Sequence, residues 1–406
     1  MGTLNDVIIN KLSGGLGRRN PSQDMVSGLL FDGNAIAEDG TSGVAGLDQD
    51  KTYRLSSLED AEALGINEGY DTNGQSAYYQ IQQYFRLNSS GDLFIQATTG
   101  ISYTEIVEKA KAFQESADGE IRQMGIIYSG VADFAASTAA AQVAQVQADE
   151  AYVDYMPFEV VLEGKGFGTV LSAGASTTPD LAELNASNVS IVVAMDVEAA
   201  KPVLQGGKGL SNSAAVGMTL GAISRAKVSE NIAWVEQFNL SGAGFSKAGF
   251  VGGEEVKTQG DLETLNANRY VFARTHTGLS GVYFNDSHTA TLGTSDFAYI
   301  ENNRTINKAA RLLRTALLPK LASPVLVNEA GLLAPSVTKG FETLCRAALE
   351  GMVSNQEVSV FDVFVDPSQD ILATSQLRIK AEVTPVGTAR KIIVDLGFKN
   401  PFGLGA

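Results

Sequence analysis

The strongest apolar runs lie in the first two-thirds of the chain. Phe158-Glu159-Val160-Val161-Leu162 and Val189-Ser190-Ile191-Val192-Val193-Ala194 are nearly continuous and rich in β-branched residues, the pattern of strands covered on both faces. Asp92-Leu93-Phe94-Ile95-Gln96-Ala97 and Gly125-Ile126-Ile127-Tyr128 read as further strands. Between them the period lengthens. Ser102-Tyr103-Thr104-Glu105 has capping-box spacing and opens a helix whose inward face is Ile106, Val107, Ala110 and Phe113. An alanine- and glutamine-rich helix covers about 134–150, and another runs from about Ser213 to Ala233. Strands alternating with helices over about 22–275 predict an α/β layered body with a largely parallel sheet.

The last third is patterned differently. Arg269–Arg274 and Gly281–Phe284 read as strands, a helix spans about Ile300 to Leu318 and stops before Pro319, and another covers about Ser336 to Met352. Leu377, Ile379, Ala381 and Val383 alternate with Arg378, Lys380 and Glu382. Ile392, Val394, Leu396 and Phe398 then alternate with Lys391, Ile393 and Asp395. Such period-two patterning predicts one covered and one wet face. At the other end, Asp6–Leu12 is a short β-favouring run carrying Val7, Ile8 and Ile9, followed by Ser13-Gly14-Gly15-Leu16-Gly17. A lone strand on a glycine hinge cannot cover its own faces. Pro385-Val386-Gly387-Thr388 between the two C-terminal strands allows either a hairpin or an outward-reaching arm; the arm reading divides the chain into arms at 1–20 and 381–406, a body at 21–275 and a smaller unit at 276–380.

Composition narrows the function classes. The 406 residues, 44% of them hydrophobic, are enough for two or three folded units. One cysteine rules out an intrachain disulfide, and two histidines leave little for imidazole chemistry. The opening residues lack a basic stretch followed by an apolar one, so no signal peptide is expected, and no apolar run is long enough to span a membrane. Candidate chemistry is sparse. Gly206-Gly207-Lys208-Gly209-Leu210-Ser211 precedes a helix but fails as a Walker loop, because position 202 is Pro and Gly209 stands at the Ser/Thr position. Ser224-Arg225-Ala226-Lys227 matches S-x-x-K without its companion elements and reads as a helix surface. His276 and His288 read as structural, Cys345 as a buried inert thiol and Trp234 as core; Asp48-Gln49-Asp50 does not complete a calcium loop. No catalytic, metal or cofactor residue is expected. The alternating βα pattern keeps a Rossmann-like α/β enzyme of unknown substrate as the competing reading.

Charge is unevenly placed. The chain has a net charge of −16. Residues 1–20 carry +2, 377–406 carry +3, and 304–320 carry +5 through Arg304, Lys308, Arg311, Arg314 and Lys320; removing these ten positive charges leaves −26 on the rest. On a helical wheel Arg304, Lys308 and Arg311 form a narrow stripe with Arg314 beside it, opposite Ile306, Ala310, Leu313 and Leu317. The expectation is a cationic outer face, either simply solvated or docking on an acidic protein surface; nucleic acid is disfavoured by the acidic remainder. Basic, β-patterned arms at both ends of an acidic body point to strand exchange between copies. Repeated without ring closure, that gives a helical filament.

These features converge on a family. Phe297-Ala298-Tyr299-Ile300-Glu301-Asn302-Asn303-Arg304-Thr305-Ile306-Asn307-Lys308-Ala309-Ala310-Arg311, Asp366–Ser375, Val383-Thr384-Pro385-Val386-Gly387-Thr388-Ala389 and Lys391–Asp395 resemble the closing third of contractile tail sheath proteins of myophages and related contractile injection systems. The likeness is one of pattern rather than identity, and is weakest at 21–90 and 134–188. It implies a mixed-sheet α/β body plus a tube-facing α/β core domain, with N- and C-terminal β-strand arms exchanged between subunits. It further implies stacked hexameric rings around an inner tail tube protein, baseplate and tail terminator proteins as further partners, no cofactor, no nucleic acid and no membrane insertion. Val7, Ile8 and Ile9 become the donated N-terminal strand, and Ile392, Val394 and Leu396 the C-terminal one. Arg304, Lys308, Arg311 and Arg314 become the tube contact. Assembly is expected in the host cytoplasm, and the mature location is a virion tail or injection-particle sheath.

Overall fold

A computed structural model describes residues 23–398, apart from 41–42, 72–74, 101, 201–208, 256–257 and 330. Four of its central strands carry the apolar runs noted above, and a fifth, at Ser27–Asp32, was not expected. These are β1 (Ser27–Asp32), β3 (Leu93–Thr98), β4 (Gln123–Ile127), β5 (Glu159–Glu163) and β6 (Val189–Val192); with β2 (Thr52–Leu55) they form a six-stranded sheet in the order β2-β3-β1-β4-β5-β6. All neighbours pair in parallel except β2, which runs antiparallel along the β3 edge. Every residue of β3, β4, β5 and β6 is buried, as continuous apolar strands between two helical layers must be.

The helices follow from local rules. Asp133 caps the helix Phe134–Val153 by accepting from the Ala136 amide, and the alanines at 140, 141, 144, 148 and 151 are buried. Ser102 caps Tyr103–Val107 as its spacing predicts, but the helix breaks and resumes at Ala110–Ser116; Ile106, Val107, Ala110 and Phe113 are all buried. The helix expected at Ser213–Ala233 is shorter, Val216–Arg225. It is buried almost throughout, so Ser224 is a core residue accepting from Asn88 Nδ2 and not a surface one. Trp234 is not core: it is 43% exposed.

Helices Ala77–Leu87 and Val216–Arg225 touch backbone to backbone at Gly217. A Cβ there would lie 2.0 Å from the Gln80 carbonyl oxygen, and Gln80 Oε1 already accepts from the Gly217 amide at 2.6 Å. Gly217→Ala is expected to cost about 2–3 kcal/mol in urea unfolding, even though alanine favours a helix by ~1 kcal/mol over glycine.

Beyond the sheet come a small three-stranded layer of β7 (Ala194–Asp196), β8 (Ala248–Phe250) and β9 (Glu254–Glu255), and the hairpin β10 (Ala273–His276) with β11 (Leu279–Phe284). The large core runs from Val26 to Ile300. A second, small cluster of Ala309, Cys345, Leu349, Met352, Val358 and Val363 lies under the helix Ile300–Leu317, the helix Pro335–Ser354 and the antiparallel pair β12 (Val358–Phe364) and β13 (Lys380–Pro385). Strand β12 was not predicted. Cys345 is buried in this cluster, and His288 is buried with Nε2 3.0 Å from Asn266 Oδ1. Among the described residues no helix is long and apolar enough to cross a membrane, and no cluster of three metal-ligating side chains forms.

Candidate assembly site: the basic helix and the arm roots

The helix Ile300–Leu317 connects the two cores. Its N-cap residue is Tyr299 and its first turn carries Glu301, an acid placed where the helix dipole favours one. Its basic stripe does not form the cationic outer face expected of it. Arg304 is 4% exposed; its guanidinium donates to the carbonyls of Lys227 (3.1 Å), Ala226 (3.2 Å) and Asp24 (3.2 Å). Lys308 Nζ pairs with Asp24 Oδ2 and with Glu357 Oε1, each at 2.6 Å, and Arg311 reaches Asp24 Oδ1 at 2.7 Å. Arg314 is exposed, its guanidinium 3.4 Å from the centre of the Tyr155 ring. The stripe turns inward because acceptors remote in sequence, Asp24 and Glu357, meet it there. The small apolar cluster takes Leu312, Leu313 and Leu317 on another side.

These contacts shift the groups involved. Burial pushes the Asp24 carboxyl up, but the Lys308 hydrogen bond and charge, with Arg311 and Arg304 behind it, hold it below the usual carboxylate range. Burial draws the Arg304 guanidinium down to about 10, still charged at neutral pH. Below the helix, Glu159 is fully enclosed. Its Oε1 accepts from Asn188 and Asn307, both at 3.0 Å, and burial raises its pKa to about 8.

Glu159 gives a pH dependence with a defined sign. A carboxyl near 8 in the native state and near 4.5 when unfolded binds its proton earlier on folding, so its contribution to stability falls as pH rises between those values. Glu159→Gln, which mimics the protonated acid, is expected to match the wild type at about pH 4.5 and below, and to exceed it by on the order of 5 kcal/mol at about pH 8.5. Paired urea titrations at the two pH values check this.

The helix holds a second ion cluster at its other end. Arg390 Nε lies 3.0 Å from Asp286 Oδ2, its NH2 donates to Glu301 Oε1, and its guanidinium stacks 3.4 Å from the centre of the Tyr299 ring. Asn231 Nδ2 donates to Asp286 Oδ1 at 2.6 Å, and Ser287 Oγ donates to Glu301 Oε2. Burial raises the Glu301 carboxyl against the pull of Arg390. Asp24, Asp286, Glu301, Glu357 and Arg390 escaped the sequence reading. Their partners are distant in the chain, and only the acidic first turn of the helix offered a signal.

Of the expected arm residues, Val7, Ile8 and Ile9 lie outside the described residues. The closing segment, 386–398, has no strand partner among the described residues. Ile392, Val394 and Leu396 are 81%, 76% and 94% exposed, and Ile393 and Phe398 are exposed with them. Among the described residues the expected covered face does not form. Strand β13 pairs with β12 as far as Pro385, and beyond it no strand forms among the described residues; Arg390 docks on the body through Asp286 and Glu301, and Ile392–Phe398 follow it.

The enzyme reading directs attention to the carboxyl end of β1, where the strand order reverses. An open polar cleft of about 320 Å³ is lined there by Asp32, Thr98, Ser129 and their neighbours, without a histidine, cysteine or lysine. The Ser129 amide donates to Asp32 Oδ1 at 2.6 Å, closing the turn after β4. Half of the Gly206–Ser211 loop, residues 206–208, lies outside the described residues.

Comparison with known proteins agrees with this architecture. The family model described as DUF2586, N-terminal domain, matches residues 4–288, and that described as DUF2586, C-terminal domain, matches 296–403. Among solved structures, the helical sheath of the anti-feeding prophage in its contracted state superposes with a TM-score of 0.64 at 16% identity, covering 98% of this chain and 100% of that one. The baseplate of the same particle, six-fold symmetrised, gives 0.63 at 13%, covering 98% and 100%. The sheath complex of an extracellular contractile injection system, PVC, in its contracted state gives 0.57 at 13%, covering 98% of each chain. No curated protein matches the chain. The mixed-sheet α/β fold is thus the fold of contractile sheath subunits, end to end.

Proposed function

We propose, from the premise that this chain belongs to the DUF2586 family and spans both its domains, that it is the structural subunit of a contractile sheath. Copies polymerise helically as stacked hexameric rings around an inner tube, and contraction drives the tube through a target envelope. The observation that carries this reading is the whole-length likeness to the anti-feeding prophage sheath, joined to a closing segment whose apolar side chains stand exposed among the described residues. Residues 1–20 and 386–406 serve as the exchanged strands, Val7–Ile9 at one end and Ile392–Leu396 at the other, with main-chain pairing supplying affinity. Contraction proceeds from a metastable extended form to a compact one with larger contact between subunits. The work is mechanical, and no cofactor enters it. The particle is an injection-system sheath or a phage tail, with baseplate and terminator proteins at its ends.

The tube contact expected of the whole stripe narrows in this reading to its exposed end, Arg314 and Lys320, since Arg304, Lys308 and Arg311 are engaged inside the chain. Reversing both exposed charges, Arg314→Glu with Lys320→Glu, is expected to abolish co-sedimentation with an acidic tube while leaving the thermal transition within a few degrees of the wild type. Unchanged co-sedimentation at physiological salt counts against that contact. Polymerisation itself is tested by pelleting: the purified chain is expected to enter the pellet in a concentration-dependent manner, and a chain that stays in the supernatant at every concentration counts against a sheath.

A further inference from the structure

The geometry points to the helix Ile300–Leu317 as the common anchorage of both arms, so that tension on one passes to the other through a single rod and bypasses both cores. This rests on the reading of the two ends as load-carrying arms. The N-terminal arm enters the described structure at the turn Gln23–Met25. There Asp24 is gripped by Lys308 and Arg311 through its carboxylate and by Arg304 through its carbonyl. The C-terminal arm leaves at Arg390, which is seated between Asp286 and Glu301 and stacked on Tyr299.

The two grips are opposite in sign. An acidic root sits on the basic stripe, and a basic root sits on the acidic first turn. Glu301 and the Lys308–Arg311 pair are seven to ten residues apart on one helix, about 10–15 Å at 1.5 Å per residue. The separation of the arm exits is therefore set by a rigid element.

The consequence is a force path. With Asp24 held at Lys308 and Arg311 and the load leaving the helix at Glu301, residues 25–300 form a loop that carries no load. Arg390 held at Glu301 does the same for 312–389, including β12, β13 and the helix Pro335–Ser354, while the stretch Glu301–Arg311 carries the tension. Arg390 is the more telling root, because its side chain is the described link between a segment with no strand partner and the buried carboxylates.

The test is single-molecule pulling of the whole chain from positions 1 and 406, comparing wild type with Arg390→Gln, Arg390→Lys and Asp24→Asn. With Arg390→Gln the load enters at β13. The first rupture is expected to shift to lower force and to release on the order of 25 nm of chain, the contour of residues 318–389. Arg390→Lys keeps the charge but loses the fork and the ring stacking, and its first rupture is expected between the two. Asp24→Asn is expected to lower the first rupture force as well, by freeing the other root. An ion pair off the load path would change melting temperature without changing this profile. Identical first-rupture force and contour release in wild type and Arg390→Gln, with both folded by circular dichroism, overturns the proposal. Pulling uses single molecules, so a chain that fails to polymerise defeats the sheath reading and leaves this result standing.

Discussion

Arg304→Ala is expected to lower the unfolding free energy by about 3–5 kcal/mol, the range for removing one partner from a buried, hydrogen-bonded charge. Three carbonyls, those of Asp24, Ala226 and Lys227, lose their guanidinium donor together, and an unpaired buried acceptor costs about 1–3 kcal/mol. They belong to three stretches: the turn before β1, the end of the helix Val216–Arg225 and the loop beyond it. The damage therefore falls where the connecting helix is joined to the body. Arg304→Lys is expected to recover part of the loss, because one ammonium cannot reproduce the fork. Arg314→Ala is the internal control. That side chain is exposed over Tyr155, and its loss is expected to cost less than about 1 kcal/mol. Urea unfolding of the three variants checks the ranking; equal midpoints for Arg304→Ala and Arg314→Ala would show that the stripe faces solvent after all.

Truncation after Lys391 is the second large effect, and it is all-or-none. The cut removes Ile392, Ile393, Val394, Leu396 and Phe398, which are exposed in the single chain and belong to neither core. It keeps Arg390 in its acidic seat. Stability is expected to change by less than about 0.5 kcal/mol, as for surface changes away from packed features, while self-assembly is lost completely. Sedimentation velocity alongside thermal unfolding separates the two readouts. A truncated chain that still polymerises removes the C-terminal arm from the account, and one that unfolds shows that the segment is part of the body.

The sequence was legible where burial is symmetric or local chemistry decides. Val160-Val161-Leu162 and Val189–Val193 are apolar on both faces and became strands buried on both faces. Ser102 capped its helix through the Glu105 amide, and the helix from Ile300 gave way to a 3-10 turn at Leu318–Lys320, around Pro319. It was illegible where a partner lies far along the chain. The wheel placed Arg304, Lys308 and Arg311 on one stripe correctly, yet their acceptor Asp24 is 284 residues from Lys308, and no periodicity encodes which side a neighbour will occupy. Ser224 was placed on a surface because its helix was given a wet face, whereas Val216–Ser224 is buried all round; Trp234 lies beyond the end of that helix and is exposed. Strand β12 was missed because only Val358 and Val363 of Val-Ser-Val-Phe-Asp-Val-Phe are buried, which breaks the alternation that marks a half-covered strand. The Ile392–Phe398 alternation shows the other limit: no strand forms there among the described residues, where its apolar side chains are exposed, because a covered face requires a partner strand that periodicity alone does not supply.

Electron microscopy of the purified chain in negative stain tests the central claim most directly. A sheath subunit is expected to form striated tubes or stacked rings with a hollow centre, at concentrations where the chain truncated after Lys391 shows only single particles. Uniform globular particles for the untruncated chain, at every concentration and salt tried, would contradict it.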